Sequence, residues 1–174
     1  MNKFNNYILI IIIIFFSTKS YAQNIVYANL DIIIKDSNVG KKIIIYFDEK
    51  KKKLIDQIKK EEKILKEKEK SLVSQKNILQ EDEYLKLVEN LKIEINEFNI
   101  SNQNKSKKIN VENDQVTKSF LNEINKILKQ FAETNNIDII LSSNQMLIGK
   151  SKLDVTQELM KMVNEKINKF EIKK

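Results

Sequence analysis

Apolar residues follow distinct rhythms along the 174-residue chain. The first is an unbroken run, Tyr7-Ile8-Leu9-Ile10-Ile11-Ile12-Ile13-Ile14-Phe15-Phe16. The second, in Gln23–Leu30 (Gln-Asn-Ile-Val-Tyr-Ala-Asn-Leu), is a short β-branched and aromatic stretch that predicts a strand. Asp31 is placed to cap a brief helical turn over 32–35, which Asp36-Ser37-Asn38-Val39-Gly40 breaks. From Lys41 to about Gln80, and from Glu83 to about Thr134, apolar residues return at steps of three, four and seven. Phe47, Leu54, Ile58, Leu65, Leu72 and Leu79 mark the outgoing limb, and Tyr84, Val88, Leu91, Ile95 and Phe98 the returning one. These are coiled-coil seam spacings. Asn77–Glu83 offers the turn between them, with Asp82 as N-cap of the second helix. An outgoing limb of roughly 60 Å exceeds the span of so small a globular body, so both limbs must project. The seam is poor, because Glu61, Lys68 and Gln75 interrupt it and Ser101–Lys108 holds no apolar side chain. Few buried contacts then oppose local opening, and the arm is expected to flex.

Apolar density recovers beyond the arm. Phe120, Ile124, Ile127, Leu128 and Phe131 form one helical face, ended by Asn135-Asn136. Ile137-Asp138-Ile139-Ile140-Leu141 reads as a buried strand, Ser142–Gln145 as a turn, and Met146-Leu147-Ile148 as its antiparallel partner in a hairpin. Asp154, with Gln157 three residues on, predicts a capping box for a final amphipathic helix carrying Val155, Leu159, Met162, Val163 and Ile167. The N-terminal strand is expected to join this C-terminal pair. The predicted class is therefore mainly α with a small β body, from which a long helical hairpin projects. The divisions are a removable segment 1–22, a body from 23–40 and 120–174, and an arm from 41–119. A body of three short strands and two helical segments buries little surface alone and leaves sheet edges unpaired. Self-association through the body strands follows, with Ile25, Tyr27, Ile137, Ile139 and Leu141 as candidate contact residues.

Composition removes most chemistry. The chain has no Cys, His, Trp or Pro, only two Gly, and Lys as its sole strong cation. Thiol, Ser–His and ordinary zinc chemistry are excluded, as are Gly-rich phosphate loops. No enzymatic function, cofactor or metal is expected; the carboxylates of Glu61-Glu62 and Glu81-Asp82-Glu83 lack the spacing of a Ca²⁺ loop. Missing Pro and Gly also favour long helices. Lys3, the apolar run, and the small residues Ser20 and Ala22 have the layout of a secretory signal, with cleavage expected after Ala22. The run is about half the length that spans a bilayer, and no Cys exists to carry a lipid.

Charge is unevenly placed. The chain carries +7, of which Lys3 and Lys19 lie in the removable segment. Residues 41–80 hold 13 Lys against 7 acidic residues, whereas 81–110 hold 5 against 6. The cations Lys50, Lys51, Lys52, Lys53, Lys59 and Lys60 thus belong to the outgoing limb. They read either as a solvated helix face, with pairs such as Glu62 and Lys66, or as an attractor for acidic polypeptide or anionic membrane. Nucleic acid is disfavoured by export, by the absence of Arg and by the absence of an aromatic stacking platform.

Several segments carry a family resemblance. Ile25-Val26-Tyr27-Ala28-Asn29-Leu30, Ser37-Asn38-Val39-Gly40-Lys41-Lys42, Asn136-Ile137-Asp138-Ile139-Ile140-Leu141 and Asp154-Val155-Thr156 occur in the order and spacing of the Skp/OmpH family of periplasmic chaperones, which the chain resembles over nearly all of 23–174. The resemblance implies a periplasmic homotrimer whose bodies share a small β-barrel. Three arms would enclose a cavity that holds unfolded outer-membrane polypeptides without ATP. It also offers Lys105, Lys107 and Lys108 as candidates for an anionic-lipid or lipopolysaccharide patch. Competing readings are an envelope coiled-coil adaptor for one folded partner and an anionic-lipid-binding structural protein.

Overall fold

The computed structural model describes residues 23–172; the expected signal segment lies outside the described residues. The element order is β1 (Ile25–Ala28), α1 (Leu30–Asp36), α2 (Asn38–Gln75), α3 (Glu81–Thr134), β2 (Ile139–Ser142) and α4 (Thr156–Lys166), with short 3₁₀ turns at Ser143–Gln145 and Ser151–Leu153. The mainly α class with a small β body and a long helical hairpin is borne out. Among the described residues, no helix is long and apolar enough to cross a membrane.

Local chemistry fixes the joints, though not always through the residues expected. Asn29, rather than Asp31, caps α1 by accepting from the Ile32 N–H at 3.0 Å. Asp31 instead lies in the first turn, where its charge meets the positive helix end. Ser37 closes α1 and opens α2: its N–H donates to the Ile33 carbonyl, and its Oγ accepts from Gly40 N–H at 3.2 Å. Gly40 therefore does not break a helix. It sits in the first turn of α2, pressed against the Ile34 carbonyl at the end of α1. At the hairpin tip α2 stops at Gln75 and Gln80 takes the N-cap position; Asp82 falls inside the first turn of α3.

The largest correction concerns the sheet. β1 and β2 pair in parallel, Ile25 with Ile139, Val26 with Ile140, Tyr27 with Leu141 and Ala28 with Ser142. Parallel strands need a long crossover, and here the whole arm supplies it. The predicted hairpin of 137–141 with 146–148 does not form. Ser143–Gln145 is a 3₁₀ turn, and Asn144 Nδ2 draws it toward α1 by donating to Asp31 Oδ2 at 2.7 Å. The other edge of β1 is taken at one point by residues 154–155: Tyr27 bridges Asp154, and the Val155 N–H donates to the Tyr27 carbonyl at 2.9 Å. Nor is β2 buried in the single chain, since Ile139 and Leu141 each expose 41 % of their surface. α3 ends in a left-handed Asn136 (φ 51°), and the Ile137 N–H reaches back to the Ala132 carbonyl, the bond that closes a helix and turns the chain into β2. The capping box is corrected too. Asp154 Oδ1 accepts from the Thr156 N–H at 2.9 Å, Thr156 Oγ1 accepts from the Asn29 N–H, and Gln157 stays exposed.

One apolar core joins body to arm root. Ala28, Ile33, Phe120, Ile124, Leu159 and Val163 are almost wholly buried, and Val39, Ile43, Phe47, Leu54, Ile109 and Val116 continue the core into the hairpin. Beyond Leu54 and Ile109 no arm residue is buried; the expected seam positions are only half-buried out to the tip. Lys68, which breaks the apolar repeat, instead bridges the seam to Glu94.

Candidate interaction surfaces

Two surfaces stand out, one on the body and one on the arm. On the sheet, the pleat sends Val26 and Ala28 into the core and turns Ile25 and Tyr27 the other way. Parallel register places Ile139 and Leu141 beside them, so four of the five residues expected at a body contact share one face. Ile137, half-buried just before β2, packs against the core instead. Sequence patterning missed the neighbouring Leu147 and Ile148. Their apolar run predicts a strand, yet they expose 106 % and 91 % of their surface on an unpaired stretch that passes Tyr27 at Gly149.

On the arm, Lys50 separates from its neighbours in the sequence. Its Nζ lies 2.6 and 2.7 Å from the two carboxylate oxygens of Glu112 and 5.2 Å from the centre of the Tyr46 ring, and the Tyr46 hydroxyl donates to the same carboxylate. The Lys50 hydrogen bonds hold the Glu112 carboxyl below its ordinary range, against the opposing effect of burial. The Glu112 carboxylate in turn raises Lys50 above the usual lysine value. Lys50 is thus a clamp between the limbs rather than a free attractor. Lys51, Lys52, Lys53, Lys59 and Lys60 are exposed and make no ion pair among the described residues. Lys52 with Lys59, and Lys53 with Lys60, stand seven residues apart on the side of α2 turned from its seam. Lys105, Lys107 and Lys108 are exposed but do not make one patch. Lys105 and Lys108 are helix neighbours three apart, while Lys107 points to the opposite side. The helix-face pair found on α2 is Lys63 with Glu67, not Glu62 with Lys66.

Apolar residues off the seam add to this surface. Ile64, Val73, Ile93, Ile100 and Val111 expose roughly half their area, and Ile93 and Ile100 stand seven apart on the back of α3. Reading only the 3.5-residue repeat hides them; a second apolar phase along the same helix was the available signal. Among the described residues no group of three or more acidic side chains is placed to hold a metal.

A long two-helix arm rooted in a small α/β body, with a partly exposed apolar sheet face, defines a projecting-hairpin class of protein. The family model "Outer membrane protein (OmpH-like)" matches residues 24–163, and the chain belongs to that family. No curated protein sequence matches it. Among solved structures it is similar to a candidate outer membrane chaperone (OmpH-like) from Caulobacter crescentus CB15. The two share 14% identity with a TM-score of 0.80, over 89% of this chain and 92% of that one.

Proposed function

We propose that this protein is an ATP-independent holdase of the periplasm, exported by cleavage after Ala22. It would assemble as a homotrimer and hold unfolded outer-membrane polypeptides between its arms. The observation that carries the reading is the hairpin itself. An arm built from 38- and 54-residue helices, with no buried residue beyond its root, springs from a body whose outward sheet face is apolar and partly exposed. Burial of Ile139, Leu141, Leu147 and Ile148 by other copies would remove that exposed surface and bring several arms to one end. A client would then be bound by many weak contacts, which gives avidity without any nucleotide-driven step. The protein beginning at Gln23 should suppress light scattering from a diluted, denatured β-barrel protein at one trimer per client without ATP. Absence of suppression, or a monomeric mass by light scattering, would overturn the proposal. The outward lysine pairs also favour attraction to anionic lipid. Flotation with anionic liposomes that persists when client holding is absent would support that second reading instead.

A further inference from the structure

The last described residues take hold of both limbs of the arm at its root. α4 packs against α1, α3 and β1, and in its last turn Asn164 Oδ1 accepts from the Asn38 N–H at 2.8 Å. That N–H is one of the donors that the first turn of a helix leaves unpaired, so α2 is capped there by a residue 126 positions further on. Lys166 Nζ then donates to Gln130 Oε1 on α3. Past the helix, Ile167 is buried, and Phe170 meets Phe120 of α3 edge-on, with ring centres 5.6 Å apart. Ile172 packs against the same core. Each of these grips is made by a residue beyond 163, where the match to the family ends.

The tail does not lie flush on α3. A cavity of about 680 Å³ opens between them, walled by Val116 and Ser119 on the arm and by Ile167, Lys169, Phe170 and Glu171 on the tail. On α3 it runs from Glu112 to Glu123, a stretch of roughly 16 Å at about 1.5 Å per residue. Most of that stretch lies on the arm side of the contact between Phe120 and Phe170. Spread along it and across a helix about 10 Å wide, the cavity amounts to a gap of roughly 4 Å. The tail thus touches α3 firmly at one place and stands off it beside the arm.

We propose that residues 164–172 form a clasp that sets the direction of the arm on the body and limits how far it leans. Asn164 holds the start of α2 and Phe170 holds α3, so neither limb swings freely while both grips stand. The gap is the play in the clasp. The arm leans toward the tail until the gap closes, whereas leaning away pulls Phe120 from Phe170. Closing roughly 4 Å over a 16 Å span is a lean of about 15°. Lys60 lies about 33 Å along α2 from Asn38, so the same lean moves it by roughly 8 Å. Such a stop bounds the spacing of arms in any assembly of copies, and it is independent of what the arms hold.

The chain has no Cys, so spin labels can be placed singly. Labels on Lys60→Cys in α2 and Gln157→Cys in α4, both exposed positions, report the direction of the arm against the body. Labelled copies are diluted into unlabelled ones, so that pulsed dipolar spectroscopy reads distances within one copy. Phe170→Ala with Ile172→Ala should widen the distance distribution severalfold, and Asn164→Ala should widen it to a smaller extent. Ser119→Phe, which fills the gap from an exposed position, should narrow it. Unchanged widths in both clasp variants, with helicity retained, would overturn the clasp even if melting midpoints fell, because a tail that only adds stability behaves in that way. A width that Ser119→Phe leaves unchanged or increases would overturn the gap as the play in the clasp. Should Phe170→Ala with Ile172→Ala lose helicity, Asn164→Ala decides alone, and an unchanged width there sinks the proposal.

Discussion

Replacing Gly40 with Ala sets two physical effects against each other. Gly40 lies inside α2 with an ordinary negative φ, so intrinsic helix propensity alone favours Ala by about 1 kcal/mol. The surroundings dictate the opposite sign. A Cβ there would sit 1.7 Å from the Ile34 carbonyl oxygen, 2.8 Å from the Ile34 carbonyl carbon and 3.0 Å from Ser37 Oγ. Carbon and carbonyl oxygen approach to about 3.3 Å, so α1 and α2 must part by roughly 1.5 Å. The obstacle is backbone and cannot turn aside. Parting loosens Ile33 and Ser37, both completely buried, and lengthens the Ser37–Gly40 cap. Overpacking of this kind costs about 1–3 kcal/mol and loss of the cap about 1 more; set against the propensity gain of about 1, the net is a loss of roughly 2 kcal/mol. At about 2–4 °C per kcal/mol the midpoint should fall by roughly 4–8 °C. Gly149→Ala is the control. Its Cβ would meet the ring of Tyr27 at 2.6 Å and the end of Met146 at 2.8 Å, and both are half-buried side chains that can move. Its midpoint should shift by less than about 2 °C, as for a surface change of up to about 0.5 kcal/mol. Thermal melts of both variants by circular dichroism at fixed protein concentration decide the matter. Gly40→Ala melting at or above the parent would refute the assignment of Gly40 to close helix approach.

Other substitutions test other joints. Glu112→Gln should lower stability near pH 7 by roughly 0.5 kcal/mol, since the pair with Lys50 is partly solvated and screened. Because the Glu112 carboxyl is held below its ordinary range, its contribution is present above that range and is lost as pH falls through its folded-state value. Urea midpoints of parent and variant should therefore converge in acid; equal midpoints at pH 7 would count against the clamp. Asn102 sits in the seam with both side-chain polar atoms buried and unpartnered, so Asn102→Leu should stabilise the arm by about 1–2 kcal/mol. Amide exchange over 98–109 would slow accordingly, and unchanged exchange would show that Asn102 does not weaken the seam. Leu147→Lys with Ile148→Lys should reduce the trimer proposed above to monomer by light scattering, with helicity retained; an unchanged mass would remove this stretch from the interface.

What could be read without coordinates was whatever depends on local periodicity. The seam residues from Phe47 to Leu79 and from Tyr84 to Phe98 stand where their spacing put them, because a helix repeats its faces regardless of what it meets. The outward grouping of Ile25, Tyr27, Ile139 and Leu141 was legible for the same reason, from the two-residue period of a strand. Pairing direction was not. Ile137–Leu141 carries the same alternation whether its partner is Met146–Ile148 or Ile25–Ala28, and the choice depends on where an arm of 38- and 54-residue helices returns the chain. The role of Gly40 is hidden in the sequence because a glycine that admits a neighbouring backbone has the same sequence signature as one that ends a helix. Lys50 could not be told from Lys51 either, since only the position of Glu112, 62 residues on, singles it out.

The distribution of burial gives the arm a mechanical asymmetry that bears on holding. At the root, Phe47, Leu54, Ile109 and Val116 are buried and the Lys50–Glu112 clamp crosses between the limbs, so opening there exposes core and separates charges together. From the next turns outward the helices are joined by half-buried side chains, a polar Asn102 and the exposed Lys68–Glu94 pair. Opening the outer arm therefore costs far less than detaching it, and fluctuations should concentrate beyond the root. An arm fixed in direction at its base but compliant along its length can meet chains of different girth without refolding its body. A seam of continuous Leu and Ile would forfeit that compliance. If the protein is the holdase proposed above, the interruptions at Glu61, Lys68, Gln75 and Asn102 would serve that compliance, and filling them should trade the range of clients for stability.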